Sequence, residues 1–159
     1  MKIFYCCYGS AHSSVVAAAI HLGWLPEDRV PEVHEIENLP HYDKTDSFEI
    51  GTPFFMGKDE KGAEIYIIGM TDQRQLVKNA ILSFLKNNEI ETKDIFFVDT
   101  IPLVNLKTKV GGILSRRIGL VAVGRPLTVK GIQEKYFEFV KLVNEVKKSL
   151  GLLGSVKFK

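Results

Sequence analysis

No stretch of the chain restricts its fold as much as the opening, MKIFYCCYGSAHSSVVAAAIHLG. Ile3 to Tyr8 is β-branched, aromatic or cysteine throughout, with no turn residue, the pattern of a strand buried on both faces of a parallel sheet. Gly9 ends it. Gly9, Ser10, Ala11 and His12 are small or polar, and Ser13 or Ser14 can cap a helix running through Val15, Val16, Ala17, Ala18, Ala19, Ile20 and Leu22. Gly23 supplies a left-handed stop. The first N–H groups of a helix lack intrahelical partners and lie at the positive end of its dipole, so the turn predicts an anion cradle over Gly9 to Ser14.

The rest of the chain alternates between strand and helix patterns. WLPEDRVPEVHEIENLPHYDKTDSFEIG, with three prolines, predicts an excursion holding at most short helical turns. Thr52 to Met56 and Ala63 to Met70 predict a β-hairpin around GKDEKG, closed by Gly62 in the left-handed region. Thr71 then caps a helix to about Asn88, with Leu76, Val77, Ala80, Ile81, Phe84 and Leu85 as one apolar stripe. Asp94 to Ile101 is a second buried strand, and Leu106 to Ile118 contains a short helix, placed at GILSRRI and closed by Gly119. Leu120 to Val123 reads as the last strand, and Thr128 opens a surface helix whose apolar face is Ile132, Tyr136, Phe139, Val140, Val143 and Val146. The tail GLLGSVKFK suits a frayed end or a short edge strand.

This alternation predicts a single α/β domain over residues 1–159, a three-layer α/β/α sandwich with a mainly parallel sheet of P-loop-like or Rossmann-like topology, plus the hairpin. Lys2 to Tyr8 is expected to be central and parallel to Ile95 to Asp99. Ligands of such folds sit beyond the carboxyl ends of the strands. That edge gathers Gly9 to Ser14, Met70 to Asp72, Asp99, Thr100, and Gly124 to Thr128.

Composition narrows the partners. With 21 Lys and Arg against 19 Asp and Glu, the net charge of +2 is too balanced to argue by itself for a nucleic-acid or membrane surface, which favours small polar ligands or protein partners. The only cysteines, Cys6 and Cys7, are adjacent, and their side chains would leave opposite faces of a strand, so no disulfide joins them. No run approaches the ~18 apolar residues of a membrane span, and no signal-type pattern precedes Gly9, so a cytoplasmic location is expected.

Two known phosphate loops offer comparisons. The nucleotide-binding P-loop needs a second glycine and a lysine, whereas SAHSSVV follows Gly9 here. Without that lysine, ordinary ATP hydrolysis is not expected. Asp99, after four apolar residues, resembles the carboxylate that holds Mg²⁺ in those enzymes, although a turn or helix-capping aspartate has the same pattern. The cysteine phosphatase loop, Cys, five residues, Arg, then Ser or Thr, is matched in length by Cys7, YGSAH, Ser13 and Ser14, with serine where the arginine should clamp the phosphoryl oxygens. Cys7 is therefore a candidate nucleophile set against a core cysteine. His12 is the candidate acid or base, set against a loop histidine with local hydrogen bonds. Arg125, between Gly124 and Pro126, is the candidate replacement cation, with Arg116 and Arg117 behind it as solvated helix-end arginines. His21 reads as structural, and His34 and His41 as too isolated to hold a metal.

CYGSAHSSVVAAAIHLGWLP resembles the start of domain-of-unknown-function family 3189, uncharacterised proteins of spore-forming Firmicutes. The resemblance implies a bacterial, cytoplasmic, single-domain protein and carries no activity. The expected function is a binding or regulatory protein with a phosphate or nucleotide site formed by Gly9, Ser10, His12, Ser13, Ser14 and Arg125. The alternative is a phosphoryl-transfer or hydrolytic enzyme acting on a small phosphorylated substrate, with His12 as acid or base and Mg²⁺ at Asp99.

Overall fold

The structure, a computed structural model, describes residues 1–116 and 118–152. In chain order it runs β1 (Lys2–Cys7), α1 (Ser13–His21), α2 (Val33–Glu37), β2 (Phe54–Lys58), β3 (Glu64–Gly69), α3 (Arg74–Asn87), β4 (Ile95–Asp99), α4 (Leu106–Arg116), α5 (Val121–Glu134) and α6 (Tyr136–Ser149). Short 3₁₀ turns occupy Ser47–Glu49 and Ile101–Leu103. It is an α/β fold on one open four-stranded sheet ordered β2-β3-β1-β4.

β1 is interior and parallel to both neighbours, with Cys6 opposite Asp99 and Cys7 opposite Gly69. Its alternation explains the position. Ile3 and Tyr5 enter the larger apolar cluster with α1 and α6, while Phe4 and Cys6 enter a smaller one with Ile68, Met70 and, from α3, Val77 and Ile81. The expected hairpin is present, and its β2 runs antiparallel on the sheet edge with a bulge between Phe55 and Gly57. The sheet is thus partly parallel, with the hairpin strand β2 as its antiparallel member. Gly62 closes the hairpin loop at φ +81°.

α1 is buried at every residue, its apolar Val15 to Ile20 on all sides and its Ser13, Ser14 and His21 hydrogen-bonded where they are buried. Gly23 ends it at φ +71°, with Gly23 N–H on the Ile20 carbonyl (3.0 Å) and Trp24 N–H on the Ala19 carbonyl (2.9 Å). Near this end Tyr5 Oη lies 2.8 Å from His21 Nδ1, and His21 Nε2 lies 3.2 Å from Asp59 Oδ2 in the hairpin loop. Burial holds the His21 pKa below its ordinary value. The neutral ring therefore accepts from Tyr5 and donates to Asp59, the structural role expected of it.

Four boundaries differ from the sequence reading. Leu120 to Val123 is not a strand, because Val121 begins α5. A short apolar run suits a buried helix as well as a strand, and here helix packing decides between them. A Cβ on Gly124 would lie 2.5 Å from the Gly111 carbonyl oxygen and from Ser115 N, so α4 and α5 approach backbone to backbone. α4 starts at Leu106, well before GILSRRI, and Thr128 lies inside α5, with α6 following a break at Lys135. Thr71 (φ +49°) precedes α3, which starts at Arg74; Leu76 and Phe84 are 65% and 67% exposed and no residue of α3 is fully buried, so the stripe packs through half-buried side chains such as Val77 and Ile81. From the tail, residues 153–159 lie outside the described residues.

Gly124→Ala is expected to lower stability by about 1–3 kcal/mol, because the added methyl meets fixed backbone. Gly9→Ala, whose methyl would meet nothing within 4 Å, should stay within roughly 0.5 kcal/mol of the parent. Urea unfolding of both variants distinguishes close helix approach from a general intolerance of alanine.

Candidate functional site

The strand order brings three of the four expected stretches together; the fourth, Gly124 to Thr128, lies in α5. The Met70 N–H reaches the Cys7 carbonyl (2.9 Å), the Thr71 N–H the Tyr8 carbonyl (3.0 Å), and the Thr100 N–H the Cys6 carbonyl (2.9 Å). A Cβ on Gly69 would lie 2.9 Å from Gly9 Cα, so only glycine lets the loop lie against the end of β3.

The serines do not cap α1. His12 occupies the cap position with no side-chain capping bond. Thr100 Oγ1 donates to the Cys6 carbonyl (2.8 Å), which leaves Ser13 Oγ to donate to Thr100 Oγ1 (2.8 Å). Ser14 Oγ donates to Cys7 Sγ (3.0 Å). Buried hydroxyls need partners, and β1 and β4 supply them before the helix end does. Ser10, at φ +56° and 1% exposed, has an Oγ without a hydrogen-bond partner.

The loop's carbonyls and N–H groups are treated differently. The Ala11 carbonyl accepts from Asp43 N–H (2.9 Å), the Gly9 carbonyl from Thr45 Oγ1 (2.8 Å), and the His12 carbonyl from Val16 N–H (3.0 Å). The N–H groups of Ser10 to Val15 meet no acceptor among the described residues.

Asp43, which the sequence did not single out, organises the surroundings. Its side chain is fully buried and accepts from Ser115 Oγ (2.8 Å), His12 Nε2 (3.1 Å) and Arg125 Nε (3.2 Å). Its carbonyl accepts from an Arg116 guanidinium N–H (3.2 Å). Burial by itself would raise its pKa; the hydrogen bonds from His12 and Ser115, with Arg125, outweigh that and hold the carboxyl below its ordinary value. Arg125 follows no strand. It lies within α5 and neutralises Asp43.

Cys7, Gly9, His12 and Ser13 line a cavity of about 540 Å³. Lys109, Arg116 and Arg74 bring positive charge to its wall, and Ile50, Ile101, Val104 and Ile113 form its apolar part. Ser10, Ser14 and Arg125, all expected at the site, do not line it. With Asp43 on its Nε2, His12 has its Nδ1 edge against α4, where a Cβ on Gly112 would lie 3.5 Å from Nδ1.

Asp99 borders a second cavity, of about 370 Å³, with Cys6 and Arg74. Its Oδ2 is 2.9 Å from Arg74 Nε and its Oδ1 accepts from Ile101 N–H (2.9 Å). Binding Mg²⁺ there would mean displacing Arg74. Among the described residues no three His, Cys, Asp or Glu side chains cluster as metal ligands. Both cysteines are free, and burial pushes the Cys6 thiol up to about 12, leaving it inert. His34 is exposed on α2, and His41 lies against the Phe54 ring. Among the described residues no helix is long and apolar enough to cross a membrane.

The family model DUF3189, described as a protein of unknown function, matches residues 2–148. No curated protein and no solved structure matches the chain.

Asp43→Ala is expected to cost about 3–5 kcal/mol, since it leaves Arg125, Ser115 and His12 without their shared acceptor. The depressed pKa sets the sign of the pH dependence. The stabilisation from the ionised carboxyl is complete above the unfolded value of about 3.9 and is lost as pH falls through the lower folded value. Denaturation curves at pH 7 and below pH 4 should show Asp43→Asn losing less stability to acid than the parent.

Proposed function

The chain belongs to the DUF3189 family, and from its site we propose that it is a binding or regulatory protein holding the phosphate group of a small ligand at Gly9 to Ser14. One observation carries this reading: the N–H groups of Ser10 to Val15 meet no acceptor among the described residues, beside a cavity that also bears Lys109 and Arg116. Unpaired donors at a helix start attract an oxyanion, and nearby cations offset its remaining charge. Ser10 Oγ, buried and without a hydrogen-bond partner among the described residues, is a further donor in the same loop, although Ser10 does not line the cavity. Arg116 and Lys109 take the place that the sequence suggested for Arg125. The α/β/α layering and bacterial cytoplasmic setting expected from the sequence belong to this proposal.

A second reading rests on Cys7. The Ser14 hydroxyl donates to Cys7 Sγ, and Cys7 lines the cavity beside the loop. In that reading the Cys7 thiolate attacks phosphorus and the ester P–O bond breaks, while His12, oriented by Asp43, protonates the leaving oxygen. Water, deprotonated by His12, then releases phosphate and restores the thiolate.

Thermal unfolding with sodium phosphate against sodium chloride at equal ionic strength tests the anion site. Phosphate at a hundredfold excess over its Kd should raise Tm by roughly 5–10 °C, the equivalent of about 2.7 kcal/mol. Arg116→Ala and Lys109→Ala should each shrink the rise; equal melting temperatures in both salts would remove the proposal. Release of phosphate from phenyl phosphate tests the second reading. If catalysis occurs, Cys7→Ser abolishes it and His12→Ala slows it by ~10²-fold or more, with the phosphate-dependent Tm rise retained in Cys7→Ser. A Tm rise without turnover identifies a binding protein.

A further inference from the structure

Resting on the anion-site reading, we infer that the cavity selects a ligand with a single phosphate or phosphonate end and an aromatic or branched hydrocarbon body. The cavity, about 540 Å³, is far larger than an inorganic phosphate and falls in the size range of small-molecule pockets. Beyond the loop, its wall includes Ile50, Ile101, Val104 and Ile113. They come from four places: the strand-free excursion, the 3₁₀ turn after β4, the link to α4, and α4 itself. Ile50 and Ile113 remain 36% and 47% exposed. The protein itself thus leaves apolar surface at this wall, which an apolar body would cover.

Thr45, Ser47 and Thr108 also line the cavity, but the part of the wall formed by Ile50, Ile101, Val104 and Ile113 disfavours a sugar. Its isoleucine and valine side chains offer no donor or acceptor, so each hydroxyl buried there without a partner weakens binding by roughly fivefold or more. A second anionic group is disfavoured by Asp46 and Asp72, which also line the cavity. Asp46 has its pKa held below the ordinary carboxylate value by hydrogen bonds from Ser47 and Phe48 N–H, and so stays negative. With cations beside the loop and carboxylates on the same lining, a ligand with one charged end and a neutral apolar remainder fits best.

Isothermal titration calorimetry on the full chain with phenylphosphonate, methylphosphonate and glucose 6-phosphate separates these ligands. Phenylphosphonate should bind at least tenfold more tightly than either of the others. Ile113→Ser should reduce its advantage over methylphosphonate to within about threefold, and Ile50→Ser serves the same purpose should Ile113→Ser fail to fold by circular dichroism. Equal binding of the two phosphonates, or tightest binding of glucose 6-phosphate, would overturn this inference while leaving the anion site standing. Absence of binding by all three would overturn both.

Discussion

A fully buried carboxylate must be surrounded by donors, and Asp43 meets that demand by drawing on parts of the chain distant in sequence. His12 comes from the loop after β1, Ser115 from α4 and Arg125 from α5. Each is fixed relative to the others because an unsatisfied buried charge costs several kcal/mol. The Asp43 backbone adds two further ties, its N–H to the Ala11 carbonyl and its carbonyl to Arg116. Asp43 has φ +53°, a left-handed conformation that aspartate tolerates better than most residues, so residue type and backbone geometry agree at this position.

The carboxylate could not gather these partners without close approach of α4 and α5. Gly111 and Gly124 face each other there, and a Cβ on Gly111 would lie 2.6 Å from the Gly124 carbonyl oxygen. The approach places Ser115 and Arg125 within reach of the same two oxygens. On the neighbouring turn, Gly112 leaves room for the His12 ring, which would lie 3.4 Å from an added Cβ. Small residues thus act in the same direction as the charge: they admit the groups that the carboxylate holds.

The site's chemistry depends on which polar groups remain after the fold has used the others. Arg125 is committed to Asp43 and Arg74 to Asp99, so Arg116 and Lys109 supply charge at the larger cavity. Ser13 and Ser14 are committed to Thr100 and Cys7. What the loop retains is its backbone N–H groups and the Ser10 hydroxyl. The side chains of this turn are thus largely committed to structure, and in the proposed site its main chain would meet the ligand.

Much of the framework was legible in the sequence. β1, the loop and α1 follow from an apolar run, a glycine and a second apolar run stopped by Gly23; the hairpin follows from two strand patterns around Gly62. These features are local, set by side-chain periodicity and by backbone angles that few residues accept. The cap position taken by His12, the helix at Val121, the position of Arg125 and the whole role of Asp43 were not legible. Asp43 lies in an aperiodic, proline-interrupted segment, and nothing in its neighbourhood distinguishes it from a solvated turn aspartate. Periodicity alone determined which segments could bury a face. Only the tertiary structure decided which polar groups meet, because a hydrogen bond across 72 or 82 residues, as from Ser115 or Arg125 to Asp43, depends on helix packing that leaves no trace in local pattern.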